Sequence, residues 1–171
     1  MKLRLITNYY DYKQQIVDFV EEYANVEGKM IPSVLGKCDY HNFDEYVAFL
    51  ERRRTRDLAG LVPATVYFTL DEERNIVVGA VDIRHYLNEP LLHHGGHIGD
   101  GVRPSERRKG VATAQIGLAL EECKKLGIDK VLITCESWNI PSAKSIINNG
   151  GVLENEVEVE GKTFQRYWID I

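Results

Sequence analysis

The sequence predicts a mixed α/β fold, with amphipathic helices flanking one central mixed β-sheet in a single domain over residues 1–171. Three observations carry this expectation. The chain has 171 residues, 44% of them hydrophobic and 27% charged, the size and composition of one ordinary core. Its apolar pattern switches repeatedly between helical and strand spacing, in the order βααββ and then βαβαββ. No linker, internal repeat or low-complexity tract interrupts that order.

Leu3 and Leu5, separated by Arg4, alternate as a short first strand. From Asp11 to Val26 the residues Tyr12, Ile16, Phe19, Tyr23 and Val26 recur at helical spacing, and Gly28 is placed to end that helix. Gly28–Asn42 carries Pro and Gly breakers and reads as a loop, the kind of segment that carries specificity. Phe43, Val47 and Leu50 mark a second helix. Arg52, Arg53, Arg54 and Arg56 follow as a solvated, cationic helix end, the sign the helix dipole favours there. Ala64–Leu70 and Ile76–Arg84 are β-rich, and Asp71–Asn75 joins them as a hairpin. A loop with Asn88, Pro90, Gly95 and Gly96 leads to a fourth strand near His97–Arg103. The third helix keeps Ala112, Ile116, Ala119, Cys123 and Leu126 on one stripe and stops at Gly127. Val131–Cys135 is a short strand, and Pro141–Asn149 a helix closed by Gly150 and Gly151. VLENEVEVE and TFQRYWIDI give the last two strands, the former with one wet face.

Composition excludes several function classes. A net charge of −5 argues against a dedicated nucleic-acid binder. The three cysteines, Cys38, Cys123 and Cys135, are odd in number and form no C-x-x-C. A disulfide framework or zinc ribbon is therefore not expected, and a reducing cytoplasm is the simplest setting. The N-terminal MKLRLITNYYDYKQQ is too short and interrupted for a signal peptide, and no apolar run approaches the ~18 residues of a membrane span.

The chemistry concentrates in VRPSERRKGVATAQI, Val102 to Ile116, where a strand enters a basic, Gly-containing turn and then a helix. Backbone N–H groups at a helix start lack intrahelical partners and, with the helix dipole, favour an anion. Those of Arg108 to Thr113 can cradle a phosphate or pyrophosphate, with Arg107, Arg108 and Lys109 adding charge and Gly110 allowing close approach. On the residues alone a solvated, charged helix start is an equal reading. There is no P-loop motif, and Gly99 and Gly101 lack the third glycine of a dinucleotide fingerprint.

Arg107-x-x-Gly110-x-Ala112 resembles the (Arg/Gln)-x-x-Gly-x-(Gly/Ala) signature of the GNAT superfamily of N-acetyltransferases, and LITCESWNIPSAKSIINNGG resembles the strand, Asn and helix that follow it there. RHYLN, GGHIG, VRPSERRKG, NGG and RYWI resemble phrases of a bacterial subgroup of predicted acetyltransferases with no assigned acceptor. The resemblance implies the GNAT fold, a mostly antiparallel sheet whose fourth and fifth strands splay around the pantetheine arm of acetyl-CoA. It implies backbone bonds to that arm from Gly101, Val102 and Arg103, with an N–H near Val102 facing the thioester oxygen. Arg107, Arg108, Lys109, Gly110, Val111, Ala112 and Thr113 would surround the pyrophosphate, and Asn139 and Ser142 would face the cosubstrate from the other side. The implied reaction is direct transfer of the acetyl group to a primary amine of a small molecule or protein.

An alkylammonium has a pKa of about 10.4 and must lose a proton before attack, so a base is needed. Glu136, after the fifth strand, is the first candidate and Asp100 on the fourth strand the second, with His85 and His97 behind them. Many GNAT relatives carry a Tyr seven positions beyond the Asn, to protonate the departing thiolate. Ile146 stands there in this chain, leaving Ser145, another Tyr or water for the role. His93, His94 and His97 read as a loop rather than a metal site. Cys135 reads as packing rather than a nucleophile. Tyr9, Tyr10 and Tyr12 suit either the acceptor pocket or the core. A CoA-sensing module of the same fold and a nucleotide-phosphate binder are the competing functions. A homodimer would follow from analogy with the superfamily.

Overall fold

The computed structural model describes residues 1–56 and 60–171. Among them the order is β1 (Leu3–Ile6), α1 (Lys13–Ala24), α2 (Phe43–Thr55), β2 (Ala64–Asp71), β3 (Ile76–Arg84), β4 (Ile98–Val102), α3 (Val111–Lys125), β5 (Lys130–Glu136), α4 (Ile140–Asn148), β6 (Val152–Val159) and β7 (Lys162–Asp170). This is the mixed α/β order that the periodicity predicts. The first helix starts later than expected because Tyr9–Tyr12 forms a separate 3-10 turn.

The mostly antiparallel sheet with splayed fourth and fifth strands is observed, and that splay divides the single mixed sheet read from periodicity into two. The strands form two hydrogen-bonded sheets, β1-β2-β3-β4 and β5-β7-β6, with every pair antiparallel. The break falls between β4 and β5.

Two cores hold the elements together. α1 and α2 lie on one face of the first sheet, burying Ile16, Phe19, Tyr46 and Leu50 against Val66 and Phe68. α3 and α4 cover the opposite side, where Ile116 and Ile146 pack with Val81 and Ile83 of the first sheet and Val131 and Ile133 of the second. That second core spans the break. Each fully buried large apolar side chain contributes roughly 1.5–3 kcal/mol, so the two sheets are joined chiefly by packing. β3 is covered on both faces, which explains its nearly unbroken apolar run.

The arginines after Leu50 do not all meet solvent. Arg53 is buried and meets Asp82 of β3 through two bonds of 3.0 and 3.3 Å. Asp82 also accepts an ion pair from Arg84 at 3.2 Å. The physical reason lies in the spacing: Phe43, Tyr46, Leu50 and Arg53 follow one another at three- and four-residue steps on the buried stripe of α2. No helix among the described residues is long and apolar enough to cross a membrane.

Candidate active site between β4 and β5

The gap is defined by backbone alternation. In an antiparallel pair, alternate residues turn their N–H and C=O toward the partner strand. Arg84 donates its N–H to the His97 carbonyl, and Arg103 its N–H to Val78, both at 2.8 Å. The His97 carbonyl and the backbones of Gly99, Gly101 and Arg103 therefore face β3, while Ile98, Asp100 and Val102 turn their backbone groups away, toward β5. On β5, Ser137 and Ile171 bond to Thr163 and Asp129 at 2.8 and 3.0 Å, so the odd positions face β7 and Leu132, Thr134 and Glu136 face β4. The two edges meet at one point. His97 donates its N–H to the Leu132 carbonyl at 2.7 Å, and the Leu132 N–H donates to His97 Nδ1 at 2.9 Å. Beyond it the strands pair with nothing on that side among the described residues, leaving the backbone groups of Asp100, Val102 and Thr134 open to the gap.

This redistributes the roles expected along β4. The backbones of Gly101 and Arg103 belong to the ladder with β3, and the Arg103 side chain is held by Glu22 and the Val77 carbonyl. Val102, between them, is the residue whose N–H points into the gap. Gly101 has a different use: a Cβ there would run into the carbonyl of Ile31, where the Gly28–Asn42 loop lies on β4.

At the mouth stand two helix starts. Gly110 caps α3 in the left-handed region, φ 82°, with no side-chain cap, so the N–H groups of Val111, Ala112 and Thr113 have no partner in the helix. A Cβ at Gly110 would have nothing within 4 Å, and Arg108 is also left-handed, φ 63°. Successive N–H groups in such turns make an anion-binding concavity. Lys109 is drawn to Glu106 at 3.2 Å, whereas the Arg107 guanidinium lies 5.6 Å over the Tyr23 ring. Arg107 and Arg108 form no ion pair among the described residues. Three expected cosubstrate contacts have structural jobs. The Thr113 hydroxyl donates to Ser145 at 3.2 Å. The Asn139 side chain caps α4 by accepting from the Ser142 N–H at 3.3 Å. The Ser142 hydroxyl sits beside Cys135. Ala112 leaves its turn without bulk.

The two carboxylates lie on opposite faces of the gap. Asp100 points toward α3, where Gln115 Nε2 donates to its Oδ2 at 3.2 Å. Burial pushes its pKa up, against the pull of that bond and of its own backbone N–H. Glu136 points the other way and pairs with Lys162 at 3.2 Å, with Lys29 close to Lys162. The histidines are not free bases. His97 accepts the Leu132 N–H, and burial lowers its pKa to about 4. His85 bonds Thr65 at 2.8 Å and is lowered by burial too. Ser145 cannot serve as a free acid, since its hydroxyl donates to the Pro141 carbonyl at 3.1 Å. Ile146 is fully buried. Cys135 is pushed up to about 11 by burial, which keeps it an unreactive thiol at neutral pH. Tyr9 is buried and donates to the Val66 carbonyl, while Tyr10 donates to Asp44, so both serve packing and tethering. Among the described residues no cluster of metal-ligating side chains forms.

Gln115 was not evident in the sequence. It is fully buried, accepts from Thr69 at 2.8 Å, and donates to Asp100 and to the Gly101 carbonyl at 3.2 Å. Its berth exists because Gly79 has no Cβ, which would collide with Gln115. A polar residue at i+3 within an otherwise apolar helix stripe after Ala112 is the one signal it leaves.

A family model described as acetyltransferase (GNAT) family matches residues 29–145. No curated protein matches the chain. Among solved structures, similarity extends over 98% of the chain and 91% of the ribosomal-protein-S5-alanine acetyltransferase from Vibrio fischeri, with a TM-score of 0.70 at 14% identity. The yncA protein of Salmonella typhimurium, solved with its cofactor acetyl-CoA, is covered to 92% by 99% of the chain, with a TM-score of 0.65 at 14% identity. A variant of the spermidine N-acetyltransferase SpeG from Vibrio cholerae is covered to 95% by 99% of the chain, with a TM-score of 0.61 at 16% identity. At these identities the likeness is one of fold.

Proposed function

The chain belongs to the GNAT acetyltransferase family, and on that premise we propose that it is an acetyl-CoA-dependent N-acetyltransferase acting as one domain on a primary amine. The observation that carries this reading is the alignment of an uncapped α3 start with a row of unpaired backbone groups along the gap. The donor set suits the cosubstrate: helix N–H groups and Arg107 and Arg108 for the pyrophosphate, the β4 edge for the amide-bearing pantetheine arm. Val102 offers its N–H to the thioester oxygen, where charge grows as the amine attacks. Glu136 takes the proton from the incoming ammonium on the face rimmed by Lys162 and Lys29. That the related structures include enzymes named for spermidine and for a ribosomal-protein alanine supports an amine acceptor without choosing one.

Calorimetry with acetyl-CoA, and ATP as control, tests the reading. Binding of acetyl-CoA in preference to ATP is the expected result. Absence of binding by the folded protein would overturn it. The burial of Ile146, which leaves α4 without the acid found in many relatives, favours a second reading, a CoA-sensing module of the same fold. Acetyl transfer to any amine in a library screen rules that reading out.

A further inference from the structure

We propose that Asp100 is the proton donor to the departing thiolate, so that the gap carries its acid on one face and its base, Glu136, on the other. The proposal rests on the acetyltransferase reading above and assigns a role which α4 does not fill. Its ground is geometric. Val102 and Asp100 turn their backbones into the same gap, but the Asp100 side chain continues to the α3 face and the Glu136 side chain to the opposite one. An amine approaching on the Glu136 side pushes the sulfur away from itself, toward Asp100.

The surroundings fit an acid. Gln115 donates to one carboxyl oxygen only, and Gln115 is itself fixed by Thr69 and the Gly101 carbonyl. The backbone N–H of Asp100 is the one other hydrogen-bond donor against the carboxyl among the described residues. The groups facing Asp100 are Gln115 from α3 and Cys135 from β5. Burial keeps Cys135 a neutral thiol, with its pKa at about 11, and among the described residues no cation reaches Asp100 to hold it ionised. Burial raises the pKa of Asp100 itself, the direction in which a carboxyl retains a proton for donation. Three nearby hydroxyls are engaged elsewhere: Thr113 with Ser145, Ser145 with the Pro141 carbonyl, Tyr167 with Gln165 at 2.8 Å.

The step balances. The ammonium gives one proton to Glu136, which passes it to water; as the C–N bond forms the nitrogen gives Glu136 a second proton, and the C–S bond breaks. The Asp100 proton passes to sulfur, and both carboxyls return to their starting state by exchange with water.

Two measurements on the full chain test this. In the first, protein labelled with ¹³C at the aspartate carboxyls is titrated free and with bound CoA, and Asp100→Asn assigns the signal. Asp100 is expected to titrate above the ordinary carboxylate range in the complex. A midpoint near the ordinary value of about 4 overturns the proposal. In the second, hydroxylamine serves as the acceptor, because this weak base is already neutral at pH 7 and isolates the acid step. Asp100→Asn is expected to slow transfer on the order of 10²-fold and to remove the high-pH fall in rate, while acetyl-CoA still binds. Asp100→Glu is expected to restore part of that rate and the fall. Unaltered rate and pH profile in Asp100→Asn sink the acid assignment alone. Failure of the native protein to bind acetyl-CoA sinks the parent reading instead. If hydroxylamine is not turned over, the carboxyl titration decides.

Discussion

His97 holds the point where the two sheets meet, and it does so as a neutral ring. Its Nδ1 accepts the Leu132 N–H, and its pKa is lowered to about 4 by burial, with the Arg84 charge acting the same way. In the unfolded chain the ring titrates near 6.5. The sign follows: the unfolded state takes up the proton first, so stability is full above about pH 6.5 and falls as pH drops toward 4. The loss by pH 4 is on the order of 3 kcal/mol. Urea unfolding between pH 7 and 4 is expected to show this component in the native protein. His97→Asn, which keeps an acceptor for Leu132 but cannot titrate, is expected to flatten it. Gly110 makes a second case at this scale. Its Cβ would meet nothing, so Gly110→Glu leaves the core intact and costs only the left-handed strain, roughly 1–2 kcal/mol. Its charge then sits at the unpaired N–H groups of α3, and acetyl-CoA affinity by calorimetry is expected to fall at least about tenfold, the effect of 1.4 kcal/mol. The Gly110 turn was legible as the start of α3, because a glycine between basic residues and an apolar stripe marks a helix boundary, whereas its use for an anion was not, since a solvated helix start reads the same way. The buried state of His97 was not, since nothing in the string GGHIG says which neighbour its ring will meet.

Between elements, the tie from α2 to β3 shows where charge misleads a reading of sequence. A run of arginines at a helix end looks solvated, and Arg54 behaves so, pairing with Glu51 on the surface. Arg53 lies one position back, on the stripe that continues Phe43, Tyr46 and Leu50, and it is buried against Asp82. The helical spacing contained this information, and residue type masked it. The element boundaries themselves were legible to within a few residues, because apolar period and Gly or Pro stops are local properties. Asp82 answers two guanidinium groups, and Arg84 goes on to donate to the Gly95 carbonyl at 3.2 Å, steadying the turn before β4. Removing the shared carboxylate strands both cations in the interior. Asp82→Leu is expected to lose roughly 3–5 kcal/mol in chemical denaturation. Arg53→Met is expected to lose less, because Asp82 keeps Arg84.

Across the whole molecule the division into two sheets, rather than the single sheet expected, is what makes room for chemistry. Strand pairing is non-local, and periodicity along each strand carries no record of its partner, so the split could be reached from the residues only through family resemblance. The halves share the His97–Leu132 contact and the core beneath α3 and α4, but above that point the gap edges lack partners among the described residues. Such edges report ligand binding in a way that folding alone does not. In the free protein the amides of Asp100, Val102 and Thr134 are expected to exchange with solvent far faster than those of Gly101 and Cys135, which face β3 and β7. Saturating acetyl-CoA is expected to protect Val102 and the amides of Val111 to Thr113 together, since the β4 edge and the α3 start would bind one extended molecule. At 100 times its Kd the ligand adds about 2.7 kcal/mol to the stability of the fold. That global gain slows exchange in both sheets, so the diagnostic signal is the extra protection at the gap. If Val102 exchanges as fast with acetyl-CoA bound as without it, the pantetheine arm does not lie along β4. If the Gly110→Glu variant still shows the protection, the pyrophosphate does not sit at α3.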